Sequence, residues 1–215
     1  DIRNERLKKL AAYENAGFDP YPASVSRTYS TAEARKNFAK LAKSKRKVAI
    51  AGRVMAFREH GGSTFANLRD GSGEIQVYFK KDALGDKNYR LLLDAADIGD
   101  FISVSGALFK TKRGEETLEV RAWSLLAKSL RPLPEKWHGL QDVEERFRRR
   151  YLDLLMNSET REHFFLRSRL VSFTRTFLEK SGFVEFETPI LHPIPGGALA
   201  RPFKTHHNAL GTDFY

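Results

Sequence analysis

The sequence predicts an α+β protein that reads as helical, then strand-rich, then helical again along its 215 residues. Three observations predict this order. Short strand-like runs broken by glycines are confined to residues 48–127. Prolines mark the flanks, Pro20 and Pro22 on one side and Pro132 and Pro134 on the other. The segments outside those prolines carry helical rather than alternating apolar spacing.

Residues 1–47 form a basic, helical segment. Helices are expected over 3–16, where Leu7, Leu10 and Ala11 keep helical spacing, and over 31–45, where Ser30 or Thr31 followed by Glu33 resembles a helix start. Asp19-Pro20-Tyr21-Pro22 separates them, because proline lacks the N–H a helix needs and disfavours α at the residue before it. The formal net charge of the chain is +10, and this segment alone holds twelve Lys and Arg against five Asp and Glu. A basic appendage on a nearly neutral body fits a polyanion partner, nucleic acid being the commonest, as well as it fits a solvated helix face. Lys43, Lys45, Arg46 and Lys47 are the densest cluster and are given no base-specific role, since phosphate contacts carry no sequence information.

Residues 48–130 supply five strands. They are centred on Val48–Ala51, Phe65–Leu68, Ile75–Phe79, Phe101–Gly106 and Thr117–Val120, with a turn at Asp70-Gly71-Ser72-Gly73 and a helical insert near 86–96. Five strands with an interposed helix and glycine-marked bends predict a small Greek-key barrel of the OB type, whose outer face commonly binds oligonucleotides or oligosaccharides.

Residues 131–157 turn helical again after Pro132 and Pro134. Glu144/Arg148 and Glu145/Arg149 lie four apart and support a helix there. From 158 to 215 a longer helix is expected over 158–181, with Leu166, Leu170, Phe173 and Phe177 on one stripe and Gly182 placed to end it. A strand over Phe183–Thr188, stopped by Pro189, is expected next.

Composition excludes several classes. Hydrophobic residues are 41% and charged residues 30%, a globular balance. No apolar run approaches the ~18–20 residues that cross a bilayer, and nothing resembles a signal peptide. Cysteine is absent, which excludes disulfides and thiolate zinc sites and is compatible with the cytoplasm. The chain opens on Asp1 rather than Met and stops at Asp213-Phe214-Tyr215, so a longer parent is expected on both sides.

Three stretches carry a family resemblance. RPLPEKWHGLQDVEERFRRRYLDLL at 131–155 resembles the hinge of class II lysyl-tRNA synthetases of the bacterial type. GFVEFETPIL at 182–191 looks like motif 1 of the class, with Pro189 at its hallmark proline. PGGALARPFKTHHNALGTDFY at 195–215 is similar to the lysine-enzyme segment that runs into motif 2. Aspartyl and asparaginyl relatives share the barrel and motif 1 but are not expected to carry the third stretch. The resemblance implies an anticodon-reading barrel followed by the start of an antiparallel-sheet catalytic domain, cut before motif 2.

The same resemblance implies site residues. Phe65 would stack on the central uridine of the lysine anticodon, with Arg58, Gln76 and Glu115 supplying polar contacts. Uracil presents one N–H donor and two carbonyl acceptors, so a carboxylate with amide or guanidinium donors suits it. On pattern alone Phe65 is more readily a barrel-core residue and the other three ordinary surface. Glu116 and Glu119 stand close enough to compete with Glu115.

For the whole enzyme the resemblance implies ATP, Mg2+ and L-lysine as reactants or cofactor, lysine tRNA as partner, a homodimer through motif 1, and a cytoplasmic location. Within this chain it places only Gly197 at the rim of the lysine site, through its backbone. No catalytic residue and no metal ligand is expected: the motif 2 and motif 3 arginines would lie past Tyr215, and His206 and His207, as neighbours, are not expected to act together. This segment is therefore expected to bind tRNA without catalysis. The competing readings are a non-catalytic OB-fold RNA-binding module and an aspartyl or asparaginyl relative.

Overall fold

The computed structural model describes residues 1–134, 140–197 and 200–215, in two compact units, Asp1–Gln141 and Asp142–Tyr215. The division falls inside the stretch expected as a hinge. Residues 135–139 of that stretch, and 198–199 of the lysine-enzyme segment, lie outside the described residues.

In the first unit, α1 (Ile2–Asn15) buries two residues, Arg6 and Tyr13, against the barrel. Tyr13 is buried, and its Oη accepts the Leu125 N–H at 3.0 Å. Arg6 donates to the carbonyls of Ser129, Arg131 and Ile98, so a fork of fixed geometry closes three backbone acceptors at once. The helix expected over 31–45 is two helices, α2 (Thr31–Lys36) and α3 (Phe38–Ser44). Ser30 starts α2 in a reciprocal capping box with Glu33. The break comes at Asn37, whose side-chain amide donates to the Glu33 carbonyl at 2.9 Å, a local bond that competes with helix continuation. Ala34, Phe38 and Leu41 are buried in the same core as the strands, so these helices are part of the barrel unit.

Five strands follow: β1 (Val48–His60), β2 (Ser63–Arg69), β3 (Glu74–Lys80), β4 (Phe101–Lys110) and β5 (Glu116–Ala127). They close in the order β1-β2-β3-β5-β4. β1 is much longer than the run at 48–51 suggests. Its first half pairs with β4 and its second half with β2, and a bulge between Val54 and Ala56 bends it from one to the other. A second irregularity, at Ser105/Gly106, brings the β4 backbone onto β5, where a Cβ on Gly106 would lie 1.7 Å from the Glu119 carbonyl oxygen. Between β3 and β4, α4 (Lys81–Leu84) and α5 (Asp86–Ala95) send Leu84, Tyr89 and Leu92 into the core.

Period-two burial sets the faces. In β2, Thr64, Ala66 and Leu68 point inward; in β3, Ile75, Val77 and Phe79 do. Phe65, Asn67, Gln76 and Tyr78 are therefore on the outer face.

In the second unit, α6 (Val143–Arg148) is capped by Asp142 and carries the expected Glu144–Arg148 and Glu145–Arg149 pairs. α7 (Arg150–Met156) presents Asp153, the one fully buried side chain among the described residues of this unit. Burial alone would raise the Asp153 pKa; hydrogen bonds from Asn157 and Arg146 and the charges of Arg146 and Arg150 outweigh it and hold the carboxyl below the usual range. α8 (Ser158–Lys180) ends where Gly182 takes φ +87°. The strand expected at 183–188 is not formed: those residues find no ladder partner within the described chain, and a strand exists only as a pair. A short hairpin, β6 (Thr205–His207) with β7 (Thr212–Phe214), comes last. No helix of the described residues is long and apolar enough to cross a membrane.

Candidate nucleic-acid interface

The outer face of the barrel gathers Arg58, Phe65, Gln76 and Glu115 around one groove of about 620 Å3. Strand register does most of this. Arg58 lies opposite Phe65 across β1–β2, and Phe65 lies opposite Tyr78 across β2–β3. Gln76 sits two residues before Tyr78 on the same face and pairs with Thr117 of β5. Antiparallel neighbours directly opposite each other place their side chains within contact.

Aromatic rings floor the groove. Phe65 and Tyr78 have centroids 4.6 Å apart, Tyr78 and Phe109 6.0 Å, and His60 meets Phe65 edge-on at 6.5 Å. All three floor rings are half-buried, packed on one side and open on the other. That leaves π-faces available to a flat ligand.

The polar groups are set above this floor. Thr117 Oγ1 donates to Gln76 Oε1 at 2.8 Å, which orients the amide so that its NH2 is the end left for a ligand. Glu115 belongs to a tight loop between β4 and β5: Thr111 N donates to the Glu115 carbonyl, Glu115 N to Thr111 Oγ1, and Gly114 takes φ +87°. Lys112 and Arg113 stand in the same loop and line the groove. Glu116 is turned the other way, toward Arg35 Nε at 3.7 Å, and Glu119 does not line the groove. Among the described residues, the side chains of Arg58 and Glu115 have no hydrogen-bond or ion-pair partner, so both are free to meet a ligand.

Sequence reasoning missed His60, Tyr78, Phe109, Lys112 and Arg113. Tyr78 was within reach of it, being two residues from Gln76 on a strand and hence on the same face. Phe109 was not, because its strand was expected to end at Gly106.

The remaining site residues lie in the second unit. Gly197 has φ +147°, a conformation L side chains rarely adopt, and no atom stands within 4 Å of where its Cβ would be. Pro189 is exposed in the unpaired segment. His206 does find an acidic partner, with Nδ1 2.9 Å from Asp213 Oδ1, while His207 packs on Phe214 at 5.8 Å, so the two rings point apart. Among the described residues no group of three or more His, Cys, Asp or Glu side chains is arranged to hold a metal ion.

Comparisons with known proteins divide the chain where its structure does. Residues 48–133 match the family described as OB-fold nucleic acid binding domain, and residues 142–215 match tRNA synthetases class II (D, K and N). The chain is 51% identical over 210 residues to a lysine–tRNA ligase of Carboxydothermus hydrogenoformans, covering 98% of this chain and 42% of that protein. It is 49% identical over 215 residues to the lysine–tRNA ligase of Moorella thermoacetica, covering all of this chain and 43% of that one. A third, from Dehalococcoides mccartyi, is 47% identical over 218 residues and is covered to 44%. The chain thus spans less than half the length of these curated relatives.

Proposed function

The chain belongs to the lysine–tRNA ligase family of class II synthetases, and from that premise we propose that its barrel reads the anticodon of lysine tRNA and that the whole protein, in the cytoplasm, joins L-lysine to that tRNA with ATP. One observation carries the reading: a half-open Phe65 ring on the outer face with Arg58, Gln76 and Glu115 around it in a single groove. Unpaired bases are bound by stacking on such rings and by hydrogen bonds to their edges.

For a uracil on Phe65, the Gln76 NH2 and the Arg58 guanidinium donate to the carbonyl oxygens, and the Glu115 carboxylate accepts the ring N–H. A cytosine keeps one carbonyl but presents an amino donor in place of the other and an unprotonated nitrogen in place of the N–H, which would leave one donor and the Glu115 carboxylate unmatched. Lys112 and Arg113 on the loop carrying Glu115 meet the phosphates beside the base. In the second unit, the backbone at Gly197 approaches the lysine substrate. ATP and Mg2+ act in the whole protein; the described donor set offers no magnesium site, and no residue of this chain is assigned to either. α8 and the Pro189 segment form a twofold interface with a second copy, for which the support is their exposed Leu170, Phe173, Phe177 and Phe186.

The test is binding of a lysine-anticodon stem-loop by fluorescence anisotropy. Phe65→Ala weakens binding by ~1–3 kcal/mol, and Glu115→Gln narrows the preference for uridine over cytidine at the central position. Unchanged affinity in the first variant and unchanged preference in the second would remove the groove from anticodon reading.

A further inference from the structure

Residues 36–47 hold six cations, Lys36, Lys40, Lys43, Lys45, Arg46 and Lys47, and no acidic residue occurs between Glu33 and Glu59. Elsewhere in the first unit many cations have partners: Lys8 with Glu5, Lys9 with Asp97, Arg35 with Glu116, Lys80 with Asp82, Lys81 with Asp86, and Lys128 with Asp97 and Asp100. Among the described residues none of the six has an ion-pair or side-chain hydrogen-bond partner. Packing like charges together without counter-charges raises the energy of the free protein, and an anionic ligand relieves it.

The cluster is also shaped. A pocket of about 390 Å3 is lined by Tyr29, Asn37, Lys40, Leu41, Ser44 and Arg46. Buried Leu41 is its apolar base. The Ser44 hydroxyl is committed to the Leu41 carbonyl, and one Asn37 N–H to the Glu33 carbonyl. The donors left over are Lys40, Arg46, the second Asn37 N–H and the Tyr29 hydroxyl, a set that matches the oxygens of one phosphate. Arg46 reaches this pocket because Lys45 turns the chain at φ +49°, a left-handed conformation that non-glycine residues adopt uncommonly.

The helices that line the pocket are held firmly to the barrel that carries the groove. Thr31, at the start of α2, donates through N and Oγ1 to the Asp70 carboxylate at 2.9 and 2.6 Å. Arg35, on the same helix, pairs with Glu116, the residue next to Glu115 of the groove. Phe38 and Leu41 fix α3 in the core.

We propose that Tyr29, Asn37, Lys40 and Arg46 seat a backbone phosphate of the RNA whose unpaired loop occupies the groove, so that α2 and α3 hold the strand flanking that loop. This rests on the anticodon-reading proposal. It adds a second, base-independent contact, which distinguishes a stem-loop from its loop alone.

The test compares the chain, a Lys40→Gln/Arg46→Gln variant and a Lys87→Gln/Arg90→Gln control, which removes the same charge from exposed positions on α5. Each is titrated with a lysine-anticodon stem-loop and with the single-stranded loop, over a range of salt, after its melting temperature is checked. The expected result is stem-loop affinity lowered about tenfold at low salt for the first variant only, with the slope of log K against log salt shallower by about 1–2. Loop affinity and uridine preference stay as in the parent chain. Equal losses in the control would make the effect one of net charge, and an unchanged stem-loop affinity would empty the pocket; either overturns the proposal. A parent chain that binds neither RNA would overturn the anticodon reading and this proposal with it, whereas loss confined to Phe65→Ala would leave the reading standing and remove only the phosphate seat.

Discussion

Leu118, Val77, Phe79 and Ile102 of the barrel unit are sealed from solvent, while Phe173, Phe177, Phe186 and Phe203 of the C-terminal unit stand open to it. The barrel set comes from alternating strands, and Phe173 and Phe177 come from the amphipathic helix α8. In the barrel, each inward face meets another inward face, and α1, α2, α3 and α5 add their own buried residues to the same core. Among the described residues of the C-terminal unit the stripe of α8 stays exposed, and the one buried side chain is a carboxylate held by Arg146, Arg150 and Asn157. An apolar stripe, then, states that a surface is to be covered and says nothing of what covers it. One unit carries its stability inside itself, and the other leaves its apolar side chains open among the described residues.

Separating the two units is the severest way to break this comparison. Residues 1–141 alone should unfold in a single cooperative thermal transition, because their core is complete. Residues 142–215 alone should show no cooperative transition and should bind a hydrophobic dye. Circular dichroism and dye fluorescence decide it, and a sharp melt for the second piece would sink the contrast.

Single truncations sharpen the same point. Leu118→Ala, at 0% exposure between Val77 and Leu108, should cost about 2–5 kcal/mol of unfolding free energy. Leu170→Ala, at 62% exposure, should change it by less than about 0.5 kcal/mol in this chain. Denaturant titration of the two variants measures both, and comparable losses would show that α8 is covered after all.

A smaller effect than the loss at Leu118 concerns how the basic helices are tied to the barrel. Burial pushes the Asp70 pKa up, but hydrogen bonds from Thr31 and Ser72 prevail and lower it from 3.8 to about 2. A carboxyl whose folded pKa is depressed stabilises the fold above its unfolded value and loses that contribution as pH falls through its folded one. Asp70→Asn should therefore cost about 1–2 kcal/mol at neutral pH, and the gap from the parent chain should close as pH falls from about 4 to 2. A gap that persists at the acid end would assign the loss to geometry instead of charge.

Local signals in the sequence went a long way. The helix start at Ser30 or Thr31, the Asp70–Gly73 turn, the paired charges of 144–149 and the end of α8 at Gly182 all depend on neighbours within a few residues, and all formed as read. So did the five strands and their barrel, because alternation within a strand is itself a short-range pattern.

What required the tertiary structure was every question about partners distant in sequence. β1 ran on to His60 because β2 lay alongside to pair with it. The segment 183–188, with equally strand-like residues, found no such neighbour and formed no ladder. Two basic residues of α1 became clamps, buried Arg6 on carbonyls of residues 98–131 and half-buried Lys9 on Asp97, whereas those of 36–47 remained outside. Composition counts such charges alike. Phe65 is the sharpest case: on pattern alone it read more readily as core, and only the inward turn of Thr64, Ala66 and Leu68 left its ring on the face that Arg58, Gln76 and Glu115 share. The sequence determined which segments extend or coil, since those choices are settled by backbone and side-chain contacts a few residues apart. The pairing of strands and the closure of the barrel decided which side chains meet, because burial and charge compensation depend on neighbours brought together from across the chain.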